Sequence, residues 1–102
     1  MAIYMIITWI PFHKLEEADK LMPKAPTSPM PSIKNWEVFS TPDGKNGMKT
    51  YNIVYIEEGK VDEVQIKIMK LLSFFNEVEG YSYKIEPVLS SRDIQKIAAL
   101  EP

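Results

Sequence analysis

Ile3-Tyr4-Met5-Ile6-Ile7-Thr8-Trp9-Ile10 is the stretch on which the fold turns. Both alternating sets of this run are apolar, and it is rich in β-branched and aromatic residues until Pro11 ends it. A short run of that kind is a strand covered on both faces, so it belongs in the middle of a sheet. It is far shorter than the roughly 20 residues that cross a bilayer. It also lacks a basic leader and a small-residue cleavage site, which favours a buried strand over a targeting segment.

Outward from this strand, His13 to Met22 places apolar residues at positions 15, 18, 21 and 22, one stripe of a short helix that Pro23 stops. Pro23 to Pro31 contains Pro26 and Pro29 as well, and each proline removes a donor and restricts its predecessor. The surface loop 23–32 is therefore expected to be extended. A connector is the simpler reading, with a ligand segment for another protein as the alternative. Ile33 to Ser40 reads as a second strand, with bulk from Trp36, Val38 and Phe39. Asp43-Gly44 and Asn46-Gly47 supply turn chemistry, and Met48 to Glu57 returns as a third strand.

The longest helix is expected over about Val61 to Val78. Its stripe is Val61, Val64, Ile68, Leu71, Leu72 and Phe75, widened by Ile66, Met69 and Phe74. Gly80 is a natural terminator. Tyr81 to Leu89 reads as a fourth strand, and Pro87 assigns it to an edge or a bulge. Ser90-Ser91-Arg92-Asp93 has the form of an N-cap with an acidic residue in the first turn. It opens a C-terminal helix over about 91–100.

The order strand, helix, strand, strand, helix, strand, helix predicts one α+β domain over residues 1–102. It is a ferredoxin-like βαββαβ unit with an extra C-terminal helix. Right-handed crossovers put both long helices on one face of a four-stranded antiparallel sheet of spatial order four, one, three, two. The first and third strands carry apolar residues on both faces, so the opposite face should be covered. A second copy of the same surface is the simplest cover, giving a homodimer through the sheet face. The alternative is that the terminal helix folds across that face and holds the chain monomeric.

The pattern also resembles a known group. Tyr4-Met5 and Thr8-Trp9 in the first strand, Trp36 in the second, and Ile85-Glu86-Pro87-Val88-Leu89 in the fourth carry the likeness. By these residues the chain resembles small prokaryotic dimeric α/β-barrel proteins of unknown function. The resemblance implies the paired-sheet assembly and no particular activity. The long proline-rich loop and the terminal helix depart from the pattern.

The 102 residues suffice for one domain, and 12 basic against 14 acidic residues give a net charge of −2. That balance offers no electrostatic footprint for duplex nucleic acid or an anionic membrane. The chain has no cysteine, which excludes disulfides, thiolate metal sites and cysteine nucleophiles and fits a reducing cytoplasm.

Thr8 and Asn52 are polar residues in the middle of central strands, and buried polar groups need partners. With Trp36 they form the best candidate ligand-binding constellation. Tyr55 joins them among strand aromatics that suit a flat organic ligand or, more simply, pack a core or interface, as do Trp9, Tyr51, Tyr81 and Tyr83. His13 is the single histidine. It follows the first strand, where it could accept a proton or ligate haem iron, or simply be solvated. Haem-degrading members of the barrel superfamily use asparagine, tryptophan and histidine, but on other elements than Asn52, Trp36 and His13 occupy here. One histidine cannot build a His-rich metal site. Glu57, Glu58, Asp62 and Glu63 are explained by the helix dipole they would flank.

No cofactor or metal is therefore expected. The turn glycines open no helix and so cradle no phosphate. The third strand lacks an RNA-recognition signature, and the single arginine, Arg92, sits far from any phosphate loop. The expectation is a small organic ligand in a sheet-lined pocket. The alternatives are a non-enzymatic dimerisation or regulatory module, and a cofactor-free or haem-type monooxygenase.

Overall fold

In the computed structural model, residues 2–24 and 31–100 are described. The chain forms β1 (Ala2–Ile10), β2 (Ile33–Pro42), β3 (Met48–Ile56) and β4 (Ser82–Val88), with helices α1 (Leu15–Leu21), α2 (Val61–Phe74) and α3 (Ser91–Leu100). β1 pairs antiparallel with β3 on one side and β4 on the other, and β2 completes the sheet outside β3. The order β2-β3-β1-β4 is the expected arrangement, and it seats the Pro87 strand at an edge. The architecture is α+β, a four-stranded antiparallel sheet with the helix count of a ferredoxin-like unit plus one.

Strand alternation sends Ile6, Val54 and Ile56 to one face of the sheet, where they meet Val64, Ile68 and Leu72 of α2. Ile6 is 1% exposed and Val54 fully buried. Burying an aliphatic side chain of this size contributes about 1.5–3 kcal/mol. Ile66 and Met69 do not widen this stripe as the sequence predicts. Ile66 is 59% exposed and Met69 is also exposed. At 100° per residue Ile66 lies roughly 200° around the helix from Val64, on the solvent side.

Both crossover helices are shorter than the periodicity implies. After Pro11, Phe12–Lys14 turns as a 3-10 segment, closed by the Lys14 amide donating to the Pro11 carbonyl at 2.9 Å. Only then does α1 begin, and Met22–Lys24 continues it as a further 3-10 turn. Residues 25–30 of the proline-rich loop lie outside the described residues. α2 yields at Phe75 (φ −88°, ψ 3°) to the 3-10 turn Phe75–Glu77. That turn folds Phe75 and Val78 back into the buried set.

α3 starts at a reciprocal cap. The Ser90 hydroxyl accepts from the Asp93 amide at 3.1 Å, while Asp93 Oδ2 accepts from the Ser90 amide at 3.1 Å and the Ser90 hydroxyl at 3.0 Å. These bonds, the backbone one foremost, hold the Asp93 carboxyl below its ordinary value. A depressed carboxylate pKa stabilises fully above the ordinary range and is lost as pH falls through the lower, folded value. Accordingly α3 is expected to fray below about pH 4, read as collapsing NMR shift dispersion for residues 94–99. Ser90→Ala should cost the helix about 1 kcal/mol and flatten that acid dependence. An α3 indifferent to acid would show that the cap does not hold it. Its apolar side stays exposed among the described residues, with Ile94 56% and Ile97 47% accessible. The terminal helix therefore does not bury its stripe against the sheet.

Candidate functional site

α2 and the short α1 do not fill the helix side of the sheet. A cavity of about 420 Å³ remains between them. Its sheet wall follows from register. Thr8 lies opposite Thr50, Thr50 opposite Ser40, and Asn52 opposite Ile6 and Val38. Thr8, Thr50, Asn52 and Trp36 thus share one face, while Met22, Ile68, Phe75 and Tyr81 close the other sides.

Asn52 is fixed in orientation. Trp36 Nε1 donates to Asn52 Oδ1 at 2.9 Å, and Asn52 Nδ2 donates to the Ile6 carbonyl at 3.3 Å. One amide hydrogen is left over. Thr50 shares a hydrogen bond with Ser40 at 3.0 Å. The Thr8 hydroxyl has no protein partner among the described residues. Tyr81 is half-buried, and burial, followed by the neighbouring Tyr83, pushes its phenol up to about 12. It therefore stays protonated, a neutral donor at the cavity wall.

The structure brings together three of the five residues singled out by sequence: Thr8, Trp36 and Asn52. Tyr55 lies on the opposite face, in register with Ile3 and Asn35, with Glu37 raising its pKa through a hydrogen bond. His13 is exposed in the 3-10 turn after β1 and does not line the cavity. The reading missed Thr50 and Val38, which a step of two from Asn52 and Trp36 would have found. It also missed Asp19 of α1, and Met22 and Tyr81, which come from connecting segments whose paths no periodicity gives.

The far face of the sheet carries Ile3, Met5, Ile7 and Trp9 beside Tyr51, Ile53 and Tyr55. At its corner Lys49 Nζ stands 4.8 Å from the Tyr51 ring centre and 5.6 Å from that of Trp9. Trp9 Nε1 donates to Asp43 at 2.9 Å, which holds the Asp43 carboxyl below its ordinary value. Along β4 the margin is charged, with Lys84 paired to Glu86 at 2.6 Å.

The acidic residues around the start of α2 make no metal site. Among the described residues no cluster of histidine and carboxylate could hold a metal ion. Asp62 and Glu63 lie in the first turn, where they complement the helix dipole, and Glu57 approaches Lys34 at 3.9 Å. Among the described residues no helix is long and apolar enough to cross a membrane. No protein-family model matches the chain, and no curated protein matches it in sequence.

Proposed function

We propose that this chain binds a small organic molecule in the cavity between its sheet and α1/α2. The carrying observation is the combination of about 420 Å³ of apolar-walled space with a polar patch on its sheet wall, where Trp36 locks the Asn52 amide in place. Volumes of about 300–1,000 Å³ with few, fixed polar groups are typical of ligand sites. Among the described residues the lining pairs no nucleophile with a base, which favours the binding reading. His13 lies away from Trp36 and Asn52, so the haem-type reading gains no support from the arrangement.

The two tryptophans make the test direct, because Trp36 faces the cavity and Trp9 the far side of the sheet. Titration with planar organic compounds is expected to move the Trp36 indole N–H resonance and leave that of Trp9 in place. Trp36→Ala should weaken binding about tenfold or more, since it strips an aromatic wall and leaves Asn52 Oδ1 without its donor. A panel of planar compounds and haem that leaves the Trp36 signal unmoved would refute the cavity as a site.

A second reading rests on the far face. We propose that two copies pair through it in the dimeric α/β-barrel manner. The supporting observation is a band of aliphatic and aromatic side chains, half-buried except for the buried Ile7, with Phe39 exposed beside it. The cavity and this face lie on opposite sides of the sheet, so the two readings are compatible.

A further inference from the structure

The cavity's electrostatics narrow its ligand, an inference that rests on the binding reading above. Among the described residues its lining contains no lysine, arginine or histidine, and its single side chain of formal charge belongs to Asp19, which is exposed. Asp19 apart, the polar groups on offer are neutral: the spare amide hydrogen of Asn52, the Thr8 and Thr50 hydroxyls, and the Tyr81 phenol.

Helix direction acts in the same sense. Ile68, Leu71, Leu72 and Phe75 line the cavity, so it lies against the C-terminal half of α2. That is the negative end of the helix dipole. Anion sites are built at the opposite end, or around guanidinium and ammonium groups. An anion entering here would shed its hydration, gain only neutral dipoles, and stand at the C-terminal side of α2 with no cation in the lining to offset the loss.

We propose that the cavity takes a neutral, flat organic molecule carrying a carbonyl or hydroxyl group, and discriminates against carboxylates and phosphates of the same shape. The ring system lies among Trp36, Phe75 and Met22. The oxygen reaches the row formed by Asn52, Thr8 and Thr50.

The test compares isosteric probes on the intact chain: 2-naphthamide and 2-naphthol against 2-naphthoate, by calorimetry and by the Trp36 indole resonance at neutral pH. The expected result is a Kd for 2-naphthoate at least tenfold weaker than for 2-naphthamide, with the neutral probes moving Trp36 and not Trp9. Equal or tighter binding of 2-naphthoate at Trp36 would overturn the charge selectivity and leave the cavity standing as a site. Probes that all fail to move Trp36 would remove the cavity reading, and the selectivity with it.

Discussion

Gly47→Ala is expected to destabilise the fold by about 3–5 kcal/mol, lowering Tm by more than about 15 °C. Gly47 has φ +91° and ψ −145°, a region that is essentially reserved for glycine. A Cβ there would overlap the carbonyl oxygen of Ile10 and stand 2.7 Å from Cα of Pro11. Both obstacles are backbone, at the point where β1 leaves the sheet, so no side-chain rotation relieves them. The turn is also bound at this residue, since the Asp43 amide donates to the Gly47 carbonyl at 2.7 Å. Gly44 is the internal control. It has φ +54° but open space around it, so Gly44→Ala should cost only about 1 kcal/mol. Thermal denaturation of the two variants side by side decides the point, and equal losses would show that the close approach of the two chain segments does not matter.

The second large effect concerns association. Ile53→Glu is expected to weaken self-association at least about 100-fold while leaving the subunit folded. Ile53 lies between Glu37 on β2 and Met5 on β1, and Glu86 follows in the same row on β4. A carboxylate there is tolerated in water. Between two apposed sheets it would be buried beside Glu37, while Lys84 on that face is already paired to Glu86. Ile66→Glu, on the solvent side of α2, should change nothing. Analytical ultracentrifugation reads the result. A wild-type chain that sediments as a single copy at high concentration would dispose of the paired-sheet proposal.

The legible parts of this molecule were those where one residue decides between few options. β1 was readable because both its faces are apolar, and β4 because Pro87 bars it from the centre. The cap of α3 follows from Ser90 and Asp93 three residues apart. Helix lengths were harder. The periodicity across Phe75 and Val78 continues the α2 stripe, yet those two residues reach the core from a 3-10 turn, so burial and helix length parted company. For the site, Thr8 and Asn52 stood out as polar residues in apolar strands, and Trp36 joined them as a bulky aromatic on the next strand. Tyr55 was separable from Asn52 by parity alone, being three residues on along the same strand and hence on the other face. The cavity itself was not legible. It lies between α2 and α1, a helix of only 7 residues, and where two helices of unequal length leave space on a sheet is a tertiary outcome that no periodicity carries.

The margins of the sheet differ in kind from its faces. β4 is an outer strand with Pro87, which has no amide hydrogen to offer, and the Lys84–Glu86 pair. β2, the other outer strand, carries Lys34, Asn35 and Glu37 and finishes at Pro42. Charges and prolines on outer strands discourage lateral growth. Outer strands guarded in this way are poor templates for a further strand, so an apolar sheet face here does not come with an equally open rim.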